Sequence, residues 1–447
     1  MSLNPVISML GRRLRLAVIG GGPGSFIGAM HRQAARLDDR YELVAAALSS
    51  DPARAVAAGL EIGIAPNRVH ADAMRLIAAE AARPDGADVV AIMTPNDSHA
   101  ALATAALAQG FDVICDKPMT NTVAEAEQLH RAVLESGRLF CLTHNYTGYP
   151  MVRQARAMVQ DGQLGAIRLL QVEYVQGGRA VLAEARPGQP PAWRDDPQRG
   201  GPSLVMGDIG THAHNLLRFV SGLEVSEVAA EIGTIVPGRA VDDHAGAMLR
   251  FEGGARGSFW VTQAAAGVEN CLRMRVSGAL GSLEWEQECP QQLGFKPLGA
   301  PAQVRTPNGP GTLPLAARSS RIVAGHPEGF HEGFANLYSD AAEAIAARRS
   351  GRAADPLALH FPNSLDGLLG VRFVDAVVRS SAANGAWTRC ESTFDAGWPG
   401  HAAKARSTRA DGRPTAPGQR QWQRVRRRLT LGPRHRASGT DSGFDAG

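Results

Sequence analysis

The chain has 447 residues, of which 44% are hydrophobic and 20% charged, a composition typical of a soluble globular protein with two or three domains. No run of about 18 uncharged apolar residues predicts a membrane span, so we expect no membrane partner. The five cysteines are scattered and form no C-x-x-C pair. This pattern argues against a disulfide framework or a zinc site and favours a cytoplasmic location.

The net charge of +4 is distributed unevenly along the chain. Residues 401–447 contain eleven Lys and Arg against three Asp, so the rest of the chain is mildly acidic. Because Pro, Gly, Ser and Arg dominate this segment, we predict a disordered basic tail over residues 396–447. The run Arg424-Val-Arg-Arg-Arg428 has the charge to contact nucleic acid, but we favour a solvated tail and expect no nucleic-acid partner.

The N-terminal half alternates short apolar runs with helical patterns. Arg12 and Arg13 offer a twin-arginine start for an export signal, but the run after them is broken by Arg15 and reads better as a strand. Five strands are predicted, at LRLAVIG (14–20), YELVAAAL (41–48), DVVAIM (88–93), FDVIC (111–115) and LFCLT (139–143), with helices between them, for example at 99–109 and 122–136. This βαβ rhythm predicts a Rossmann domain over residues 1–146, with a doubly wound parallel sheet.

The turn GGGPGSFIG (20–28) follows the first strand and opens a helix, which is the position of a dinucleotide fingerprint. Glycines let the backbone approach a pyrophosphate, and the helix N-terminus supplies N–H groups for the anion. The spacing of Gly20, Gly22, Gly24 and Gly28 is longer than the strict fingerprint. A merely flexible strand-to-helix turn is the alternative.

The second strand ends at the place where an acidic residue commonly meets the adenosine ribose of NAD. Ser49 holds that place, followed by Ser50, and Arg54 comes shortly after. Because Ser49 carries no charge, it would not repel the 2′-phosphate of NADP. The choice between NAD and NADP therefore stays open.

The second half, residues 147–395, changes rhythm and predicts an α+β domain with a large, mostly antiparallel open sheet and helices on one face. The predicted elements, in chain order, are a helix at 150–161, a strand at 166–176, a Gly/Pro-rich loop to about 203, a helix opened by MGDIGTHAHNLL (206–217), the strands VSEVAAEIG, HAGAMLRFE, ARGSFWVTQ, CLRMRVSG and GSLEWEQ, and helices near 327–348 and 363–381. A sheet with one covered face suggests that a second subunit covers the other.

Six further stretches occur in order along the chain: TPNDSH (94–99), CDKP (115–118), HNY (144–146), GQLGAIR (162–168), AWRDDP (192–197) and GDIGTH (207–212). Together with the glycine turn, the series resembles the Gfo/Idh/MocA family, the group of glucose-fructose oxidoreductase and inositol dehydrogenase. The resemblance covers about residues 12–390. It departs in two places, because Asp116 replaces the usual Glu before Lys117 and the fingerprint is lengthened.

Three residues are the predicted catalytic group. Lys117 follows a parallel strand, at the sheet edge where ligands bind, although a surface lysine is the alternative. Asp208 and His212 are four residues apart at a helix start and so share a face, although a helix N-cap is the alternative for Asp208. A histidine can take a proton near neutral pH, and the resemblance assigns Lys117 and His212 to the proton of a substrate hydroxyl. His214 faces elsewhere and is predicted to be a packing residue, and no catalytic metal is expected.

The resemblance also implies the remaining site residues. Residues implied at the NAD or NADP site are Gly20, Gly22, Gly24, Ser25, Phe26, Ile27, Gly28, Ser49, Ser50, Thr94, Pro95, Asn96, His99, Asp116 and Lys117. Residues implied at the substrate are Asn145, Tyr146, Trp193, Asp208 and His212, and core packing is the alternative for the two aromatic ones. His326 is a further candidate, with a structural role at a helix start as its alternative.

These features predict an NAD(P)-dependent dehydrogenase that acts on a CH–OH group of a sugar, inositol or related polyol. Two alternatives stay open: a glycosidase that uses the same cofactor transiently, and a dinucleotide-binding sensor without turnover. The family resemblance implies a homodimer or homotetramer.

Overall fold

The computed structural model describes residues 3–181 and 193–393. The predicted basic tail at 396–447 lies outside these described residues. None of the helices in the described ranges combines the length and the apolar character that a bilayer-spanning segment requires.

The first sheet is parallel and has five strands in the order β2-β1-β3-β4-β5. The strands are β1 (Leu14–Gly20), β2 (Tyr41–Ala47), β3 (Val89–Met93), β4 (Asp112–Cys115) and β5 (Phe140–Leu142). All five predicted strands are present, each within two residues of its predicted ends. Their side chains are nearly all buried, as expected of a parallel sheet covered on both faces.

Six helices accompany this sheet: α1 (Pro5–Leu10), α2 (Phe26–Leu37), α3 (Pro52–Glu61), α4 (Ala73–Ala81), α5 (His99–Ala108) and α6 (Val123–Ser136). Local sequence explains where they begin. Thr122 and Glu125 form a capping box at the start of α6, and Asp51 and Asp72 cap α3 and α4. The strand order reverses direction between β1 and β3, which is where open α/β sheets bind ligands.

The second sheet has nine strands in the order β13-β12-β11-β10-β6-β9-β8-β7-β14. They are β6 (Ile167–Val175), β7 (Val225–Gly233), β8 (His244–Phe251), β9 (Arg256–Thr262), β10 (Cys271–Gly278), β11 (Gly281–Glu286), β12 (Leu293–Pro297), β13 (Gln303–Arg305) and β14 (Thr388–Arg389). Every neighbouring pair is antiparallel except β6 and β9, which run parallel. The prediction of a large, mostly antiparallel open sheet is confirmed.

The remaining helices are α7 (Pro150–Gln160), α8 (Pro197–Gly200), α9 (Thr211–Ser221), α10 (Pro314–Ala317), α11 (Phe330–Arg349) and α12 (Ser364–Ala382). One face of the second sheet packs on α7, α9 and α12 in a single core. The other face carries exposed apolar side chains, among them Leu169, Met248 and Trp260.

A π-helical turn over Met206–Gly210 leads directly into α9. The helical chain therefore begins before Asp208. Ser203 Oγ accepts a hydrogen bond from Met206 N, and the Asp242 carboxylate accepts from the backbone N–H groups of residues 204 and 205. The alternative that Asp208 is a helix N-cap is wrong, because Ser203 and Asp242 occupy that role. Single π-turns inside helices are frequent at functional sites.

Helix α11 comes late in the chain but packs into the core of the parallel sheet. Its Phe334, Leu337 and Ile345 are buried with Leu16 and Val89 of that sheet. Ion pairs reinforce the contact, including Arg348 with Asp112 at 2.6 Å. All five strands of the parallel sheet thus lie before the domain boundary predicted at residue 146, but α11, from the second half of the chain, also belongs to the core of that sheet.

Candidate active site

The glycine turn after β1 is too crowded for a side chain at four of its five glycines. A Cβ atom on Gly22 would lie 2.2 Å from Leu48 O, and one on Gly28 would lie 2.0 Å from Gly21 O. Gly20 and Gly24 have positive φ, whereas only Gly20 is also crowded. Gly21, which the sequence reasoning left out, has both a positive φ and a Cβ position 2.5 Å from Met93 Sδ. The turn therefore holds helix α2 tightly against the strand ends.

The N-terminus of α2 lies directly after this turn. Ser25 caps the helix by accepting a hydrogen bond from Gly28 N at 3.2 Å. Ile27 is packed against the core, while Phe26 is 68% exposed and its ring touches Phe330. Exposed N–H groups at such a helix start suit a phosphate.

After β2, Ser49 is half-buried and Ser50 is exposed. Ser49 Oγ accepts from Asp51 N at 3.1 Å, and the carboxylate of Asp51 accepts from Arg54 N at 2.8 Å. The nearest acid is thus engaged in capping α3, and the residue in the ribose position is uncharged.

The turn after β3 is attached to the second half of the chain. Thr94 Oγ1 accepts from Ser98 Oγ at 2.6 Å, and Pro95 O accepts from the same hydroxyl. Asn96 Nδ2 donates to Gly200 O at 3.1 Å. The predicted cofactor turn therefore contacts α8, which covers it from the second half.

His99 is 1% exposed and joins two strand ends. Its Nδ1 lies 2.8 Å from Pro118 O and its Nε2 lies 2.9 Å from Thr94 O. Both ring nitrogens thus face backbone carbonyls. The geometry gives His99 a bracing role between the turns after β3 and β4, without a free polar atom for a cofactor.

Asp116 and Lys117 follow β4, as predicted. Thr143 Oγ1 donates to Asp116 Oδ1 at 2.8 Å, and His31 Nε2 lies 3.9 Å from the same oxygen. Burial acts to raise the pKa of Asp116, but His31 and Lys117 hold it below its usual value. The shorter acid is therefore ionised beside the lysine.

Lys117 and Asp208 form an ion pair between the two halves of the molecule. Lys117 Nζ donates to Asp208 O at 2.6 Å and to Asp208 Oδ1 at 3.1 Å. Burial would raise the pKa of Asp208, but the positive charges of Lys117 and Arg194, with hydrogen bonds from Lys117 and Gln263, lower it to about 2. The lysine side chain is only 15% exposed, so the alternative of a surface lysine is wrong.

His212 lies in an aromatic cage next to this pair. Its ring makes edge contacts with the rings of His144, Tyr146 and Tyr174 at centroid distances of 5.2, 4.9 and 6.3 Å. Burial, followed by the charge of Lys117, lowers the pKa of His212 well below its ordinary value. The imidazole is therefore neutral at neutral pH and able to accept a proton.

The segment after β5 supplies two more buried side chains. His144 and Asn145 are 2% and 3% exposed, and no described residue is hydrogen-bonded to His144 Nδ1 or Asn145 Nδ2. Burial lowers the pKa of His144 to about 3. Buried polar atoms without partners are rare in proteins, and a ligand is one way to satisfy them.

A chain of polar side chains extends from Asp208 along the edge of the second sheet. Gln263 Nε2 donates to Asp208 Oδ2 at 2.8 Å and to Gln176 Oε1 at 3.2 Å. Gln176 Nε2 donates to Asn270 Oδ1 at 2.6 Å, which also accepts from Tyr174 OH at 2.9 Å. Tyr174 OH in turn is hydrogen-bonded to Tyr146 OH, next to His212.

Of this chain, sequence reasoning found only Tyr146 and Asp208. Gln176 follows Val175 of β6 and Gln263 follows Thr262 of β9, and these two end residues are paired in register. Because the strands are parallel, the two glutamines emerge at the same sheet edge. The parallel pairing of β6 and β9 is the feature that would have identified both glutamines as site residues.

The other candidates lie at the margin of the cluster or outside it. Trp193 is half-buried, stacks with Arg194 at 4.3 Å and borders the part of the chain that the structure does not describe. His214 stacks on Phe373 at 4.3 Å, which confirms its packing role. His326 is exposed, and its Nδ1 lies 3.3 Å from Val323 O. The candidate role of His326 in the pocket finds no support here.

One group of three potential metal ligands exists within the described ranges, formed by Cys271, Glu286 and Glu288. It lies at the start of β10 and the end of β11, and it includes neither Asp208 nor His212. The expectation of no catalytic metal stays a prediction.

In chemical terms the cluster brings together a cation (Lys117), a carboxylate (Asp208) and a neutral imidazole (His212). The lysine can donate to an alcohol oxygen and favour its alkoxide, the carboxylate fixes the lysine, and the imidazole can accept the proton. The amides and phenols beside them offer donors and acceptors for further hydroxyl groups.

Two family models match the chain. Residues 14–144 match "Oxidoreductase family, NAD-binding Rossmann fold", and residues 152–284 match "GFO/IDH/MocA C-terminal domain". Among curated proteins, the chain is 31% identical over 382 residues to the uncharacterized oxidoreductase YfiI of Bacillus subtilis, covering 85% of this chain and 97% of the relative.

Solved structures agree with these matches. An oxidoreductase from Sinorhizobium meliloti is 50% identical, with a TM-score of 0.77 over 84% of this chain and 99% of that one. An inositol dehydrogenase homolog from Azotobacter vinelandii, complexed with NADH and myo-inositol, is 36% identical, with a TM-score of 0.79 over 85% of this chain and 98% of that one.

Proposed function

This chain belongs to the Gfo/Idh/MocA family of oxidoreductases, and we propose that it is an NAD(P)-dependent dehydrogenase for a secondary hydroxyl of a sugar, inositol or related polyol. The observation that carries the proposal is the contact of Lys117 with Asp208 beside a neutral, buried His212. This arrangement supplies what alcohol oxidation requires of a protein.

The crowded glycine turn, the N-terminus of α2 and the unpartnered polar atoms after β5 fit a dinucleotide along the strand ends. We propose that Gly22, Ser25 and Gly28 hold its pyrophosphate and that Thr94 and Asn145 lie at its nicotinamide end. A bound nicotinamide supplies the acceptor for the hydride that leaves the substrate carbon.

The residues of this chain would handle the proton. Lys117 donates a hydrogen bond to the substrate oxygen and stabilises developing negative charge there. His212 accepts the O–H proton as the C–H bond breaks, and the alcohol becomes a ketone. Asp208 keeps the lysine oriented through its backbone oxygen and its carboxylate. In the reverse direction the same imidazole returns the proton.

The test is a screen of myo-inositol, monosaccharides and their glycosides with NAD and NADP, followed by the absorbance of reduced nicotinamide. We expect steady formation of reduced cofactor with at least one free polyol. Release of sugar from a glycoside without net reduced cofactor would instead identify a glycosidase. Dinucleotide binding with no reaction on any compound would favour a sensor.

We further propose a homodimer or homotetramer in which the outer face of the second sheet is covered by another subunit. Leu169, Met248 and Trp260 lie on this face, on three adjacent strands, with between 42% and 57% of their surface exposed. Several exposed apolar side chains on one face of a sheet favour association through that face.

A further inference from the structure

Gln263 occupies a position that no part of the proposed chemistry has yet used. It is 5% exposed and lies directly after β9. Its backbone is anchored on both sides, since Gln263 N donates to Asp243 O at 2.9 Å and Gln263 O accepts from Arg179 N at 2.9 Å. The side chain therefore leaves a fixed point at the sheet edge.

The two acceptors around Gln263 determine how its amide is oriented. Nε2 donates to Asp208 Oδ2 at 2.8 Å and to Gln176 Oε1 at 3.2 Å, so the NH₂ group must face both oxygens. Gln176 is held in turn by Asn270. The donor to Asp208 is thus fixed by a second amide rather than free to rotate.

Asp208 receives one donor on each carboxylate oxygen. Lys117 donates to Oδ1 and Gln263 donates to Oδ2, so the plane of the carboxylate is set by two separate elements. Without the second donor, the carboxylate could turn about its χ2 angle, and Lys117 would keep only the backbone oxygen of Asp208 as a fixed partner. A neutral amide achieves this without adding a charge that would compete with Lys117.

We infer that Gln263 is a positioning residue that orients Asp208 toward Lys117 and so holds the lysine at the reacting hydroxyl. This inference rests on the proposed function and assigns a further residue to the same site. It predicts that turnover, rather than cofactor binding, depends on the amide donor at position 263.

The surroundings allow a pH-based test. Among the described residues, the charged or titratable side chains around Asp208 and Gln263 are Lys117, Arg194, His212, His144, Tyr146 and Tyr174, while Asp243 and Arg179 contact Gln263 through their backbones. Burial lowers the pKa of both histidines and raises that of both tyrosines, so these four are neutral at neutral pH. A carboxyl group introduced at position 263 would add a titration that the unmodified protein lacks.

The experiment compares Gln263→Leu and Gln263→Glu with the unmodified protein on the polyol found in the screen. Gln263→Leu removes the donor, and we expect kcat to fall about ten- to a hundredfold at every pH, with KM changed less than about threefold. A protonated glutamate can donate to Asp208 as the amide does. Gln263→Glu should therefore approach normal kcat near pH 5 and lose it as pH rises and the proton shared by the two carboxyls leaves.

Folding and cofactor binding are measured in parallel. Both variants should bind NAD with unchanged affinity in a fluorescence titration. Gln160→Leu and Gln160→Glu are matched controls, because Gln160 is an exposed glutamine at the end of α7, a helix that packs on the covered face of the same sheet. Neither control should change kcat or its pH profile. If Gln263→Leu does not fold, the pH profile of Gln263→Glu carries the test.

A second measurement is independent of turnover. In Gln263→Glu the carboxyl group at position 263 loses its proton at a higher pH in the folded protein, beside Asp208, than in the unfolded chain, where it ionises near pH 4.3. Its melting temperature relative to the unmodified protein should therefore fall as pH rises above about 4.3. This separates the inference from the proposed function, which fails only if the unmodified protein oxidises no polyol.

Two results would overturn the inference. One is a kcat for Gln263→Leu within about twofold of normal. The other is a pH profile of Gln263→Glu parallel to that of the unmodified protein, because a merely structural glutamine would give no new titration.

Discussion

Lys117 Nζ and the backbone oxygen of Asp208 lie 2.6 Å apart, although the lysine follows strand β4 of the first sheet and the aspartate belongs to the π-turn before α9. If Lys117 and His212 serve one proton transfer, Lys117→Ala and His212→Ala should each lower kcat/KM at least about a hundredfold. The double variant should be far less impaired than the product of the two effects.

Cofactor affinity supplies the control for this pair. His212→Ala should leave the affinity for NAD nearly unchanged, since the dinucleotide site is built by the first sheet. Lys117→Ala should weaken NAD binding somewhat, because Lys117 follows a strand of that sheet. His214→Ala, at a packing position two residues away, should lower the free energy of unfolding and leave kcat nearly unchanged. Near-normal turnover in His212→Ala would contradict the proposed mechanism.

The uncharged Ser49 predicts that the protein binds NADP as well as NAD. In a fluorescence titration the two affinities should differ by less than about a hundredfold, a gap of roughly 2.7 kcal/mol. Ser49→Asp should weaken NADP at least about tenfold by repulsion of the 2′-phosphate and leave NAD nearly unchanged. Arg54→Ala should weaken NADP alone. Equal losses for both cofactors would show that Ser49 does not face the ribose.

Buried histidines make stability depend on pH. Burial lowers the pKa of His360 to about 4 and that of His144 to about 3, against about 6.5 in the unfolded chain. Below pH 6.5 the unfolded chain binds protons that the folded protein does not, so stability should fall as pH falls toward 4, by up to about 1.4 kcal/mol per pH unit for each histidine.

Unfolding by urea at several pH values measures this slope. His360→Gln should make the loss between about pH 6.5 and 4 shallower by up to one proton. Above about pH 7.5 the two proteins should show the same pH dependence. If the free energy of unfolding depended on pH identically in the unmodified protein and in His360→Gln, His360 would have the same pKa in the folded and unfolded states.

The C-terminal end of the described chain predicts where a shortened protein stays stable. Arg372, 7% exposed, donates to Thr393 O at 2.7 Å and to Glu391 O at 3.4 Å, and Cys390 N donates to Ser226 O at 2.8 Å. A chain ending at Asp395 should have the same free energy of unfolding and the same turnover as the full chain. In a chain ending at Arg389, which lacks these hydrogen bonds, the free energy of unfolding should fall by about 2 kcal/mol or more.

Thermal unfolding and polyol oxidation distinguish the two shortened chains. Lost activity in the chain ending at Asp395 would assign a role to residues 396–447 that their composition does not predict.

The apolar outer face predicts the effect of charge on assembly. Met248→Glu and Trp260→Glu should lower the mass measured by light scattering toward that of one subunit, because a charge on a covered face is costly. Leu60→Glu changes a similarly exposed apolar residue on α3, away from this face, and should leave the mass unchanged. A single-subunit mass for the unmodified protein at micromolar concentration would contradict the proposed oligomer.

Much of this fold was predictable because its signals are local. The parallel strands read as apolar runs, the glycine turn lies where a tight backbone is required, and the pair Lys117 and His212 belongs to recognisable stretches. Strands β12 and β13 are short and carry Gly, Lys and Gln, so their alternation is weak.

The missed site residues depend on pairing over long distances. Gln176 and Gln263 are 87 residues apart in the chain and meet only because β6 and β9 are parallel neighbours. Gly21 was overlooked for a different reason, since its contact with Met93 depends on how β1 and β3 lie side by side. Neither relationship has a local pattern in the sequence.

The insertion of α11 into the first core has a consequence for synthesis on the ribosome. The parallel sheet is complete at residue 142, but its helix layer gains Phe334 and Ile345 only when about two hundred further residues have been made. Until then the nascent chain exposes an apolar surface on that sheet. This surface is a binding site for a chaperone during this interval. A graft of residues 1–146 into another protein would also have to include α11 as a separate segment.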